Sequence, residues 1–358
     1  MGTAVYKGRG AVLNPAGRFE AAEREAFDDG WGSLAELAED PAPATQTIVD
    51  STRSIIATNS SPDIGFDRSI NPYRGCEHGC VYCYARPTHS YLGLSAGLDF
   101  ETKIFIKPDA AKLLRQELAR PGYRPATLAL GSNTDPYQPL ERRLRITREV
   151  LEVLHATRHP VGIVTKSALV VRDIDILAPM SALGLARVWL SVTTLDGELA
   201  RRLEPRASQP ARRLDAVRRL TAAGVHAGVM VAPVIPVLTD HELERLVAAA
   251  AEAGAMSVAY TLVRLPYEVK DLMTAWLREH YPQKAEHVLS IVRQCRGGRL
   301  NDPSFGSRFR GQGVYAQLID QRFARAMVQH RLDRRVRPQR TDLFRPPGSE
   351  GQLSLDLG

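Results

Sequence analysis

From residue 127 to residue 266 one pattern repeats: a short run of β-branched and aliphatic residues, then a longer amphipathic stretch, then another run. Few folds accept that alternation. Parallel strands need a crossover between them, usually a helix, so the pattern predicts successive βα units and a parallel sheet. The runs are TLALGS (127–132), VGIVTKS (161–167), ARVWLSVTT (186–194), VHAGVMVAPV (225–234) and MSVAYTLVRLP (256–266). An extended segment, FDRSINPYRG (66–75), precedes them and brings the expected strands to six. Expected helices are 108–120, a single long helix over 140–158, 173–185, 209–224 closing at Gly224 as a C′ glycine, and 239–254 opening with a capping box from Thr239 to Glu242.

Right-handed crossovers wind such units into a curved sheet, a partial (β/α)6, TIM-like barrel in which six units do not close the ring. A lateral gap is left for a large substrate, and reactive loops are expected at the C-terminal ends of the strands. Around this α/β core the chain divides into an N-terminal extension (1–45, ending in the linker PAPAT), the barrel (46–270), a basic, helical C-terminal extension (271–345) and a flexible tail (346–358).

The chain has 358 residues, four cysteines and a formal charge of +7. Four cysteines are too few for a disulfide framework at this length. MGTAVYKGRG lacks the apolar stretch of a signal peptide. The longest apolar run, 225–238, is too short to span a bilayer and contains two prolines. A cytoplasmic protein with reduced thiols is therefore expected, with no membrane partner.

Three of the four cysteines, Cys76, Cys80 and Cys83, fall in CEHGCVYCYA, just after the first expected strand. Structural zinc calls for four closed ligands, and the fourth would have to be His78, His89 or the distant Cys295. An iron–sulfur cluster fits better, since thiolates are its natural ligands. A [4Fe–4S] cluster on three cysteines keeps one iron open, as catalytic metal sites do and structural ones do not. The spacing favours the cluster and leaves zinc as the alternative.

CxxxCxxC with an aromatic, Tyr82, before its last cysteine resembles the radical S-adenosylmethionine (radical SAM) superfamily. CVYCYA and TDPYQPLE (134–141) are similar to spore photoproduct lyase and its uncharacterised relatives; KGRGAVLNPAGRFE, INPYRGCEHGCVYCYARPTH and LDFETKI most resemble the latter group. The resemblance implies that Cys76, Cys80 and Cys83 ligate a [4Fe–4S] cluster whose open iron takes S-adenosylmethionine. Reductive cleavage there yields a hydrogen-abstracting 5′-deoxyadenosyl radical, with a reductase or flavodoxin-type protein as electron donor. It further implies cofactor contacts by Tyr82, by Ser132, Asn133 and Thr134 after the second strand, by Lys166 after the third, by Ser191 in the fourth, and by Arg206 with Glu204 as its partner. The lyase's cysteine hydrogen donor is matched by Ser132, whose O–H bond is much harder to break homolytically. Tyr84 or Cys295 is then the expected hydrogen source.

Between Arg296 and Arg345 lie 12 arginines, no lysine and four aspartates. Arg296, Arg299, Arg308 and Arg310, interleaved with Phe305, Phe309 and Tyr315, suggest a groove for DNA or RNA with phosphate contacts and stacking faces, or else a solvated helix face. Gln352–Leu357, QLSLDL, resembles short peptides that dock on the replication sliding clamp. The expected function is radical SAM chemistry on nucleic acid, by lyase-like repair or base modification. The alternatives are the same chemistry on a peptide or small molecule, and a non-catalytic, zinc-stabilised nucleic-acid-binding protein.

Overall fold

The computed structural model describes residues 5–19, 43–333 and 338–348. In chain order its strands are β1 (Gln46–Val49), β2 (Ile56–Thr58), β3 (Arg68–Ile70), β4 (Tyr73–Arg74), β5 (Lys103–Ile106), β6 (Leu128–Leu130), β7 (Val161–Thr165), β8 (Ala186–Ser191), β9 (His226–Val234) and β10 (Val258–Leu262). All six expected strands form and lie side by side in the order β10-β9-β8-β7-β6-β3, each pair parallel. β10 is one edge of this sheet, and a short antiparallel strand, β2, covers the other. The mixed α/β fold is the expected partial barrel.

Alternation drives the sheet. In β7 Val161, Ile163 and Thr165 are buried while Gly162 and Val164 are half-buried. The same two-residue rhythm marks β8 and β10. Each Val, Leu or Ile fully withdrawn from water contributes about 1.5–3 kcal/mol, and Val161, Ile163, Val188, Leu190 and Val229 are all fully buried.

Three details depart from expectation. Residues 140–158 form two helices, Glu141–Leu144 and Ile146–Ala156, because Arg145 adopts a left-handed conformation at φ 57°. The buried Glu141 carboxylate then accepts the Thr147 N–H and so stands in as cap for the second helix. The capping box at 239–242 is absent. Thr239 Oγ1 accepts from the Ile235 N–H, and Glu242 accepts instead from the Leu195 N–H and the Thr194 hydroxyl, so the helix starts at Leu243. Finally, the first expected strand is split at Asn71-Pro72. β3 stays in the barrel sheet, while β4 joins a second sheet in the order β1-β5-β4. The Pro72 carbonyl accepts the Lys107 N–H at this transfer point. Gly224 does close its helix, at φ 82°.

The barrel's C-terminal side is completed by helices Val269–His280, Pro282–Gln294 and Gly313–Gln329. The clamp-like peptide Gln352–Leu357 lies outside the described residues.

Candidate functional site

The cysteine loop leaves β4 at the C-terminal end of the sheet and is fastened at both sides. The Cys76 N–H donates to the Phe100 carbonyl at 2.9 Å, the Val81 N–H to Leu203 at 3.1 Å, and the Arg206 N–H to His78 at 3.2 Å. Beneath the loop Arg86 is fully buried. Its guanidinium donates to the carbonyls of Gly79, Cys80, Ala96 and Gly97 and to Glu101 Oε1 at 2.5 Å. Glu101, also fully buried, accepts the Gly10 N–H at 3.0 Å and the Ala11 N–H at 2.9 Å. A buried charge is tolerable only when paired and fully hydrogen-bonded, and both halves of this pair are. The N-terminal segment thus lies directly against the loop. A Cβ on Gly10 would sit 1.8 Å from the Gly79 carbonyl oxygen, so only glycine allows that approach.

Above the loop, Glu204 is the hub. Its carboxylate accepts from the Tyr82 hydroxyl, from Thr193 Oγ1 at 2.7 Å and from Arg213. Burial alone would raise its pKa, but the positive charges of Arg213 and Lys166 bring it down to about 2. Lys166 Nζ lies 5.8 Å from the centre of the Tyr82 ring. Arg213 also donates to the Ser191 carbonyl at 2.9 Å, tying the end of β8 to this group. Arg206 goes elsewhere: it pairs with Glu77 at 2.9 Å, so the expected Arg206–Glu204 pair is not formed. Asp135 bridges the loop to β7, accepting from Thr165 Oγ1 and the Lys166 N–H, both at 2.7 Å, with His78 Nδ1 3.2 Å away. Against the upward push of burial, His78 and these donors bring the Asp135 pKa down to about 2.

Ser132, Asn133 and Thr134 gather around Asn71, whose side-chain oxygen accepts the Asn133 N–H at 3.0 Å. Tyr84, 46% exposed, hydrogen-bonds the Ser132 carbonyl. Tyr84 and Ser132 are therefore neighbours. Cys295 is not brought to them; it is buried in the main core at the end of helix Pro282–Gln294.

The three thiols are close enough to perturb one another, each charge disfavouring the next. Burial pushes the Cys76 and Cys80 thiols up, and at Cys80 the Lys166 charge opposes that push. Of the candidate fourth ligands, His89 Nε2 meets the Lys103 carbonyl at 2.9 Å, Cys295 lies in the core, and His78 Nδ1 stands 3.2 Å from Asp135. Among the described residues no three His, Cys, Asp or Glu side chains converge closely enough for a single ion. Tetrahedral zinc would need thiolate sulfurs about 3.8 Å apart, whereas in a four-iron cube each cysteine bonds a different iron and the sulfurs spread wider. Three thiols, no fourth ligand and adjacent cations fit such a cluster with one iron left open.

The C-terminal arginines depart from the expected phosphate groove. Arg296 is fully buried and holds the carbonyls of Leu262, Val263, Ser307 and Arg308. Arg308 pairs with Asp63 at 2.5 Å, Arg310 with Asp320 at 2.9 Å and Arg322 with Glu244 at 2.7 Å. Tyr315 hydrogen-bonds Asp240. Arg296 and Arg308 are thus enclosed by carbonyls and a carboxylate, whereas Arg310 and its partner Asp320 stay more than half exposed.

The family model of the Radical SAM superfamily matches residues 70–250. An uncharacterized protein of Mycobacterium tuberculosis is 35% identical over 293 residues, which is 80% of this chain and 82% of its own length. The chain belongs to the radical SAM superfamily. An uncharacterized protein of Methanocaldococcus jannaschii is 28% identical over 173 residues, 48% of this chain and 62% of its own. Among solved structures, spore photoproduct lyase complexed with dinucleoside spore photoproduct shares the fold, with a TM-score of 0.55 and 17% identity over 79% of this chain and 78% of that one. A mutant of the same lyase gives 0.54, with 17% identity and 79% of each chain covered.

Radical SAM membership makes the protein an enzyme and overturns the non-catalytic zinc alternative. The superfamily implies a [4Fe–4S] cluster and S-adenosylmethionine. Among the described residues no helix is long and apolar enough to cross a membrane. Several site-building residues of this radical SAM enzyme escaped sequence reasoning. Arg86 and Glu101 support the loop, Asp135 and Arg213 brace its upper side, and Arg264 lies over the Tyr84 ring with 4.7 Å between guanidinium and ring centre. A buried charge in a βα pattern hints at such roles, but the partners are set only by the fold.

Proposed function

We propose that this enzyme acts on nucleic acid, abstracting hydrogen from a damaged or unmodified base in photoproduct-lyase-like repair or in base modification. Cys76, Cys80 and Cys83 would hold the cluster. With S-adenosylmethionine bound, that centre supplies one-electron cleavage and a hydrogen-abstracting radical. The chain's own residues bind and orient. Glu204 fixes the Tyr82 ring beside the loop, Lys166 offers an ammonium to the cofactor's carboxylate, and Asn71 sets the Ser132–Thr134 turn for its amino group. Tyr84 Oη is the proposed site from which a hydrogen atom passes to the substrate radical, and the tyrosyl radical left behind is returned to tyrosine by one electron from the reductase or flavodoxin-type donor and a proton from water.

One observation carries this reading: the Tyr84 hydroxyl rests on the carbonyl of Ser132, the residue that the resemblance matches to the lyase's thiol, and beneath an arginine at the barrel mouth. The lyase solved with dinucleoside spore photoproduct supports the substrate class through its shared fold. A reductase or flavodoxin-type protein would supply the electron.

The test is 5′-deoxyadenosine release by anaerobically reconstituted protein with S-adenosylmethionine and dithionite. Ultraviolet-damaged DNA, RNA and a mixed peptide pool are compared as stimulants. Nucleic acid is expected to raise release at least several-fold over the substrate-free rate, and Tyr84→Phe to preserve cleavage while blocking turnover of the nucleic acid. Stimulation by peptide alone would move the substrate class, and release unaffected by nucleic acid would overturn the reading.

A further inference from the structure

Arg264 follows β10 by two residues, at the same end of the sheet as the cysteine loop. Its guanidinium lies 4.7 Å from the Tyr84 ring centre and 5.2 Å from that of Phe309. Among the described residues no carboxylate or carbonyl takes a hydrogen bond or ion pair from it. The nearby carboxylate that would serve, Asp63, is held by both Nε and Nη2 of Arg308. Burial accordingly lowers the Arg264 pKa from the usual arginine value. An unpaired, half-buried guanidinium is costly, and here the structure around it is rigid. Arg296 holds the Leu262 and Val263 carbonyls together with those of Ser307 and Arg308, and the Leu262 N–H donates to Phe309 at 2.8 Å. The strand end and the 305–309 turn are thereby locked, which fixes Arg264 against its two rings.

A guanidinium stacked on aromatic rings keeps its in-plane N–H fork for a partner, and that fork matches the oxygens of a phosphate or carboxylate. We propose that Arg264 binds a phosphodiester of the substrate strand and so places the adjacent base over Tyr84. The inference rests on the nucleic-acid reading above and gives that reading a contact point. Two observations favour substrate phosphate over the cofactor's carboxylate. Arg264, just after β10, and Phe309, on the 305–309 turn, lie beyond residues 70–250, the span that the family model matches. The ladder also continues outward: Arg308 stands 4.8 Å from the Phe309 ring centre and 5.0 Å from that of Phe305, which is 60% exposed. Exposed rings beside an unpaired cation provide the flat faces and positive charge that single-stranded nucleic acid uses.

The experiment measures binding of a fluorescein-labelled single-stranded oligonucleotide to the full chain across a salt series, alongside S-adenosylmethionine binding to the reconstituted protein. Arg264→Gln is expected to weaken oligonucleotide binding about tenfold at low salt. It should flatten the plot of log affinity against log salt by about 0.7, the loss of one phosphate contact. Arg264→Lys should keep the slope and recover part of the affinity, which separates lost charge from misfolding. Cofactor binding should be unchanged in both. If wild type binds the oligonucleotide and Arg264→Gln leaves slope and affinity alone, the inference fails while the nucleic-acid reading stands. If wild type shows no salt-dependent binding, both fail. Weaker cofactor binding with unchanged oligonucleotide binding assigns the guanidinium to the cofactor and overturns the proposal.

Discussion

Under the cysteine loop, Arg86 is wholly buried and directs its donors to four backbone carbonyls and the Glu101 carboxylate. Near the C-terminus, Arg310 and Arg322 reach Asp320 and Glu244 at the surface, where water competes for every contact. Both regions pair arginine with acid, yet they do different things. The first replaces water for a loop whose carbonyls have no sheet to bond, so it dictates where three thiols sit. The second keeps a helix soluble and lightly tethered. Burial, rather than the number of arginines, separates structure-setting charge from solvated charge.

The comparison breaks most readily at Glu101. Glu101→Gln leaves the Arg86 charge buried without its counter-ion and is expected to cost about 3–5 kcal/mol in urea unfolding. A loss below about 1 kcal/mol would place the loop's support elsewhere. Gly10→Ala, whose new carbon meets the Gly79 oxygen at 1.8 Å, is expected to cost about 1–3 kcal/mol. Hydrogen exchange at the Gly10 and Ala11 amides should rise with it, since both donate to Glu101.

A pH series sharpens the contrast further. His89 and His159 are fully buried, and burial lowers both pKa values from 6.5 to about 4. The unfolded chain takes up these protons and the folded chain does not. Stability is therefore complete above pH 6.5 and is lost as pH falls toward 4, by at most about 1.4 kcal/mol per pH unit for each histidine. His159→Phe should remove one histidine's share of that slope, measured by thermal unfolding between about pH 4 and 7; an unchanged slope would refute the assignment. The smallest effect is expected from Arg310→Gln, within about 1 kcal/mol, because both partners are exposed.

The barrel was legible because alternating burial leaves a two-residue rhythm in β7, β8 and β10. The second sheet was not. β4 has two residues, and all four residues of β1 are exposed, so neither offers a hydrophobic pattern. The break at Arg145 was hidden because helical periodicity continues on both sides of it, while the Glu141 carboxylate that caps the second helix is held by Tyr73 and Arg172 from distant segments. At the candidate site the cysteines and Tyr82 were singled out by their spacing. Arg264 did not, since a single arginine beyond a strand resembles any other until two rings from distant segments close on it. The basic C-terminal stretch is the opposite case: its arginines cluster in sequence, but the acidic partners of Arg308 and Arg322, Asp63 and Glu244, lie far upstream.

The cysteine loop is pinned by Leu203 and Arg206, residues translated well after Cys83. During synthesis, then, all three thiols emerge from the ribosome with one wall of their enclosure still unmade. Oxidants and stray metal ions meet them first. For a cluster of the kind the superfamily implies, the thiols would be fully enclosed only once β8 and the segment behind it have docked.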